Sequence, residues 1–185
     1  MLDFGLCFFA VILCLFIPAC NALLGGFGYF CARSLVSAAC SKTAMADSRQ
    51  LGIKSAKAIE SELTNPRLTG FQQIVLSPPA PSAGSSVAHA GANDSVQVNI
   101  MVEDDNRVLG CWPASEQLPK FARPSATRDR VDRRYFYQLS VHCTLNPFFH
   151  LSGIPIIGQL PMVGAPVPIT LTERERVQLV RSLEY

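Results

Sequence analysis

Between Phe4 and Ala32 the chain carries no acidic or basic side chain; only the cysteines and Tyr29 in that run can ionise. Charge stays scarce overall: 16% of the 185 residues are Asp, Glu, Lys or Arg, against roughly 25% in an average soluble domain. With a net charge of +2, no block of like charges and no basic–aromatic interleaving, no nucleic-acid partner is expected. Histidine is equally thin, three residues in all. No zinc spacing, no glycine loop that follows a strand to cradle phosphate, and no nucleophile elbow accompanies them. No cofactor, metal site or catalytic set is therefore expected, and the chain reads as a non-enzyme.

The uncharged run is the strongest positive signal. A transmembrane helix needs about 20 apolar residues to cross roughly 30 Å of hydrocarbon. The first 31 residues, rich in Phe, Leu, Ile, Val, Ala and Gly, exceed that and predict a membrane anchor with room for tilt. A removed secretory signal is the rival. Cys20-Asn21-Ala22 loosely resembles a small-residue cleavage site, and Ile17-Pro18-Ala19-Cys20 faintly resembles a lipoprotein box with Cys20 as the lipidated residue. Against both, a basic n-region is missing and hydrophobicity continues through Leu23, Leu24, Phe27 and Phe30, which favours a retained anchor. Within the span, Pro18 removes a backbone donor and predicts a kink. Gly25, Gly26 and Gly28 offer small faces on which partner anchors can pack, or reflect the ordinary abundance of glycine in membrane helices. The cysteines Cys7, Cys14, Cys20 and Cys31 read as small hydrophobes.

From Cys31 to Leu63 there is no proline and one glycine, Gly52, and Ile53, Ala56, Ile59 and Leu63 recur at helical spacing. Residues 32–64 are expected to form an amphipathic helix continuous with the anchor, ending before Asn65-Pro66 because a residue preceding proline disfavours the helical basin. Residues 65–94 read as a linker, dominated from Ser77 onward by Pro, Gly and Ser; His89 lies there, and Asn93-Asp94-Ser95 is a weak glycosylation sequon.

Residues 95–185 switch to a period of two. Val96, Val98, Ile100 and Val102 alternate with polar neighbours, as do Tyr135, Tyr137, Leu139, Val141, Cys143 and Leu145, and then Val167, Ile169 and Leu171. Three such strands predict an antiparallel sheet covered on one face by the helix, an α+β fold. The stretch Asp104–Arg134 reads as irregular and charged, with Arg128, Asp129, Arg130, Asp132, Arg133 and Arg134 forming a mixed-charge surface. The loop Asn146–Pro166 carries Phe148, Phe149, Leu151, Ile154, Ile156, Ile157 and Met162; packing on the sheet, contact with the membrane surface and binding of a partner subunit are all open to it. Glu103-Asp104-Asp105 reads as a solvated turn, Ser140 and His142 share a strand face without an orienting acid, and His150 reads as a loop residue.

Orientation signals conflict. Arg33, Lys42 and Arg49 flank the span on its C-terminal side, which the positive-inside rule places in the cytoplasm. Cys111 and Cys143, well beyond the helix, are a possible disulfide in an oxidising compartment, the alternative being two independent buried thiols, with Cys40 left unpaired. An outside domain is the preferred expectation.

Two segments then carry a family resemblance. The apolar helix running into Ala32-Arg33-Ser34-Leu35-Val36-Ser37-Ala38-Ala39 is similar to the anchor and Ala/Arg-rich helix of the TadE/TadG-like proteins, minor pilin-like components of bacterial tight-adherence pilus systems. The stretch Leu139 to Phe149 resembles that family's strand leading into a Pro-hydrophobic turn, and Ile169-Thr170-Leu171-Thr172-Glu173-Arg174 its closing strand. Together they span about half the chain. The resemblance implies a pilin-like, single-pass protein of the bacterial inner membrane with its C-terminal domain periplasmic or extracellular. Its implied partners are the lipid bilayer and other pilus or pseudopilin subunits. Pilin-like members carry a glutamate near the processed N-terminus; here only Asp3 is available, without a basic leader before it, which argues against that processing.

Overall fold

The structure, a computed structural model, describes residues 2–65, 74–78, 94–104, 107–124, 133–149, 159, 161 and 164–183. It is an α+β fold: a long N-terminal helix lies on one face of an antiparallel sheet. Helix α1 (Leu2–Val11) passes through a π-turn (Ile12–Phe16) into α2 (Ile17–Ala44). The π-turn sits immediately before Pro18, and the Ile17 N–H donates to the Ile12 carbonyl in an i→i−5 bond. Because Pro18 has no N–H to give the carbonyl four residues back, the ladder departs from α geometry at this point.

The helical segment is not continuous to residue 64. It breaks over Met45–Ser48 and restarts as α3 (Arg49–Lys57) and α4 (Ile59–Leu63). Ser48 makes the restart: its backbone is extended and its hydroxyl accepts the Leu51 N–H at 3.3 Å, satisfying one of the orphan donors of the first turn. Turning there lets α3 fold back beside α2. Gly52 is the close approach, because a Cβ on it would lie 3.3 Å from the Thr43 carbonyl oxygen. The last turn ends at Leu63, as the Asn65-Pro66 signal requires.

The sheet has five strands: β1 (Ile74–Leu76), β2 (Val96–Asp104), β3 (Arg107–Pro113), β4 (Arg133–Leu145) and β5 (Val167–Arg176). β4 is the centre. One edge pairs along its length with β5, Phe136 opposite Arg176 through Leu145 opposite Val167. The other edge is shared end to end by β2, which faces residues 133–141, and β1, which faces residues 143–145. His142 marks the handover: its N–H donates to the Ser95 carbonyl at 2.8 Å and its carbonyl accepts from the Ser77 N–H at 3.1 Å. β3 extends the sheet beyond β2, with a bulge where the register shifts at Val102/Glu103. Trp112 on β3 folds its ring over Gly110, where a Cβ would come within 2.5 Å of it.

Two of the five strands fall in segments read as structureless: β1 inside the expected linker, β3 inside the expected irregular stretch. The rest of that linker from 79 to 93, including His89, lies outside the described residues, as do Asp105, residues 125–132, His150 and the loop from 151 to 158.

The alternation of β4 decides which face is buried. Tyr135, Tyr137, Leu139, Val141, Cys143 and Leu145 point at the helices and are all buried. Against the second half of that set lie Ala32, Val36, Ala39 and Cys40 of α2, with Ala56, Ile59 and Leu63 from the shorter helices. Against the first half lie Ala44, Ile100, Val102 and Leu118. The residues α2 turns to the sheet are mostly small, which brings helix and sheet backbones close; the Cys40 thiol sits 3.5 Å from the Tyr137 carbonyl oxygen. Leu139, 1% exposed, is at the centre. Replacing it (Leu139→Ala) is expected to destabilise the domain by about 3 kcal/mol, read as a lower urea midpoint in detergent. An unchanged midpoint would mean that the helix–sheet layer is not the core.

Candidate functional site

The candidate surface is a helix with two different sides. One stripe of α2 is buried without interruption: Asn21, Gly25, Gly28, Ala32, Val36, Ala39 and Thr43, at spacings of three or four. Away from that stripe, the helical surface up to Phe30 is apolar and open. Phe4, Phe8, Phe9, Val11, Leu15, Phe16, Leu23, Phe27 and Phe30 are each more than half exposed. Cys7–Ala44 is long and apolar enough to cross a membrane by length and composition. Aromatic side chains left in contact with solvent over this length need lipid or another helix to cover them.

The buried stripe changes the reading of the glycines. Gly25 and Gly28 are buried within this chain, so their small faces are used internally rather than held for a partner anchor. Gly26 differs, since a Cβ placed there meets nothing within 4 Å.

Asn21 sits at the N-terminal end of the stripe, fully buried, and makes a two-point contact with the turn after β4. Its Nδ2 donates to the Phe149 carbonyl at 3.1 Å, and its Oδ1 accepts the Phe149 N–H at 2.9 Å. Both polar ends of a side chain and of a backbone unit are satisfied at once, which is the condition for burying either. Twelve residues on in sequence, Arg33 makes a second tie at 2.8 Å to Glu173 of β5. Asn21 entered the sequence reading only as part of a cleavage-site likeness. The signal that identifies it is its chemistry: a lone carboxamide in an uncharged run requires a partner.

The two cysteines expected to form a disulfide do not meet. Both thiols are free. Cys111 of β3 stands opposite Met101, which stands opposite Phe136 of β4, whereas Cys143 lies seven residues further along β4. They also occupy opposite faces: Cys143 packs in the core under the helices, and the Cys111 thiol reaches Gln138 Oε1 at 3.7 Å on the other side. Strand register and pleat forbid the bridge. Cys40, expected to be unpaired, is a free, buried thiol.

The remaining polar candidates are structural. Ser140 and His142 share the open face but each turns to β5: Ser140 Oγ lies 3.2 Å from Thr172 Oγ1, and His142 Nδ1 lies 3.1 Å from Thr170 Oγ1. Burial pushes the His142 imidazole below its ordinary value, leaving it neutral near pH 7. Glu103 and Asp104 are paired with Arg174 and Arg133, both at 3.4 Å. Among the described residues no group of three or more His, Cys, Asp or Glu is placed to hold a metal ion. A cavity of about 100 Å³ between α3, β2 and β3 is below the roughly 300–1,000 Å³ of small-molecule sites. Larger clefts of about 400 Å³ by Arg133 and about 600 Å³ by Arg33 are open to solvent.

No protein-family model, curated protein or solved structure matches the chain.

Two outcomes follow from these contacts. Asn21→Ala leaves the Phe149 N–H and carbonyl without their partner and is expected to destabilise the protein by about 2–3 kcal/mol, measured by urea unfolding in detergent; equal stability would show the contact to be incidental. Burial also pushes the Cys143 thiol up to about 11 from 9.0. The native state then keeps a proton that the unfolded chain releases near 9.0, so this contribution is full below that pH and is lost as pH rises towards about 11. The stability gap between wild type and Cys143→Ala should narrow over that window, and a constant gap would contradict it.

Proposed function

We propose that the chain is a non-enzymatic, membrane-anchored component of a bacterial TadE/TadG-like pilus-assembly system. The observation that carries this reading is the division of one helix between two tasks. Its exposed aromatic side is suited to lipid and neighbouring helices, while its buried stripe is built into the core of a sheet domain. Subunits that assemble through their anchors while displaying a domain need this continuity. Gly26, with Ala22 one turn before it and exposed, offers a small-residue approach for a second helix on the side away from the sheet.

The outward orientation of the domain, in the periplasm or beyond, rests on the resemblance alone. The disulfide that would have favoured an oxidising compartment is absent, and the basic residues after the span favour the reverse. The rival reading, an envelope lipoprotein or secreted binding module, requires the N-terminus to be removed. Cleavage after Ala22 would take away Asn21, which is buried and bonded to Phe149; that contact favours the retained anchor over this cut, though not over processing before Cys20.

Deletion in the producing bacterium is expected to reduce assembled pili and surface adhesion, with both restored by the intact gene. Unchanged pili and adhesion would overturn the assignment. In the same cells Cys111, exposed on β3, should react with an impermeant maleimide without permeabilisation or reductant. Reaction only after permeabilisation would put the domain in the cytoplasm.

A further inference from the structure

We propose that the turn after β4, carrying Phe148 and Phe149, is a membrane-immersed wedge held at a fixed depth by Asn21, so that the domain contacts the bilayer by this turn as well as by its anchor. The proposal rests on the anchor reading but not on the pilus assignment.

Depth can be read along the helix. A span of about 20 residues that leaves Asp3 and Arg33 outside the hydrocarbon lies between two limits, Phe4–Leu23 and Leu13–Ala32. Asn21 is inside both. At a rise of about 1.5 Å per residue, it is about 3 Å below the domain-side boundary, the one at the C-terminal end of the span, at the first limit and about 17 Å below that boundary at the second. The Phe149 backbone, bonded to Asn21 at both its N–H and its carbonyl, is carried to the same depth. Wherever the span settles between those limits, this turn reaches the hydrocarbon.

The chemistry of the turn matches that position. Phe148 and Phe149 are 48% and 39% exposed, with their rings edge to face at 5.0 Å, while Pro147 before them is buried. Two adjacent exposed aromatics at a sheet end are unfavourable in water and favourable at a lipid boundary. Non-helical backbone survives at membrane depth only where protein satisfies its polar groups. For Phe149 the Asn21 carboxamide does so. The same contact accounts for a fully buried asparagine in an otherwise apolar run.

The test uses the full chain reconstituted in phosphatidylcholine vesicles with brominated acyl chains, in a Trp112→Phe background so that one tryptophan reports. Three probes are compared: Phe148→Trp in the turn, Phe16→Trp on the exposed helix, and Val108→Trp on β3 at the other end of the sheet. The expected result is that bromine quenches the turn and helix probes at least twofold more than the β3 probe. Adding Asn21→Ala should lower quenching at the turn and leave the helix probe unchanged. Quenching of the helix probe alone overturns the wedge and keeps the anchor. A turn probe that is blue-shifted yet unquenched also overturns it, because a protein rather than lipid then covers the turn. No quenching of either probe overturns wedge and anchor together.

Discussion

The layer between α2 and β4 is the constraint on which the other features depend. Ala32, Val36, Ala39 and Cys40 on the helix face Leu139, Val141 and Cys143 on the strand, and all are buried. Small side chains on the helix allow the close approach, and the alternation of β4 supplies a continuous apolar row to meet it. Because β4 is also the strand that β1, β2 and β5 all pair with, the helix contact positions the whole sheet. The break at Met45–Ser48 follows from the same geometry: a straight helix would leave the Ile100–Tyr135 half of the sheet face without α3 to help cover it.

Under the proposed anchor role, such a helix is more than a tether. The helix that is apolar enough to enter a bilayer is the one whose C-terminal half supplies one wall of the core. Asn21 and Arg33 then tie it at two heights to the turn after β4 and to β5. If the helix spans a membrane as proposed, the position of the domain relative to that membrane is thereby set by the fold.

Much of this fold is legible in the residues. The period-two runs at Val96–Val102, Tyr135–Leu145 and Val167–Leu171 fall in β2, β4 and β5, and the apolar N-terminus is one helix interrupted only by a π-turn. Short or interrupted patterns are not legible. β1 is three residues long and takes its identity from pairing with Leu145 and its neighbours. In β3 a bulge and Gly110 disturb the alternation. The helix break is written locally, in the capping side chain of Ser48, but alanine-rich flanks outweigh one capping signal. The Cys111–Cys143 expectation failed for a different reason. Residue type and compartment argue for a bridge, whereas register and face decide against it, and neither is a local property of the chain. Asn21 was visible by composition, but its partner lies 128 residues away.

Amide hydrogen exchange on the full chain in lipid nanodiscs tests most directly whether the anchor belongs to the domain core. Peptides covering Ala32–Ala44 and those covering β4 should exchange equally slowly and lose protection together as urea is added, as one cooperative unit. Rapid or earlier exchange of Ala32–Ala44 beside a protected sheet would show that the helix only tethers a domain that stands without it.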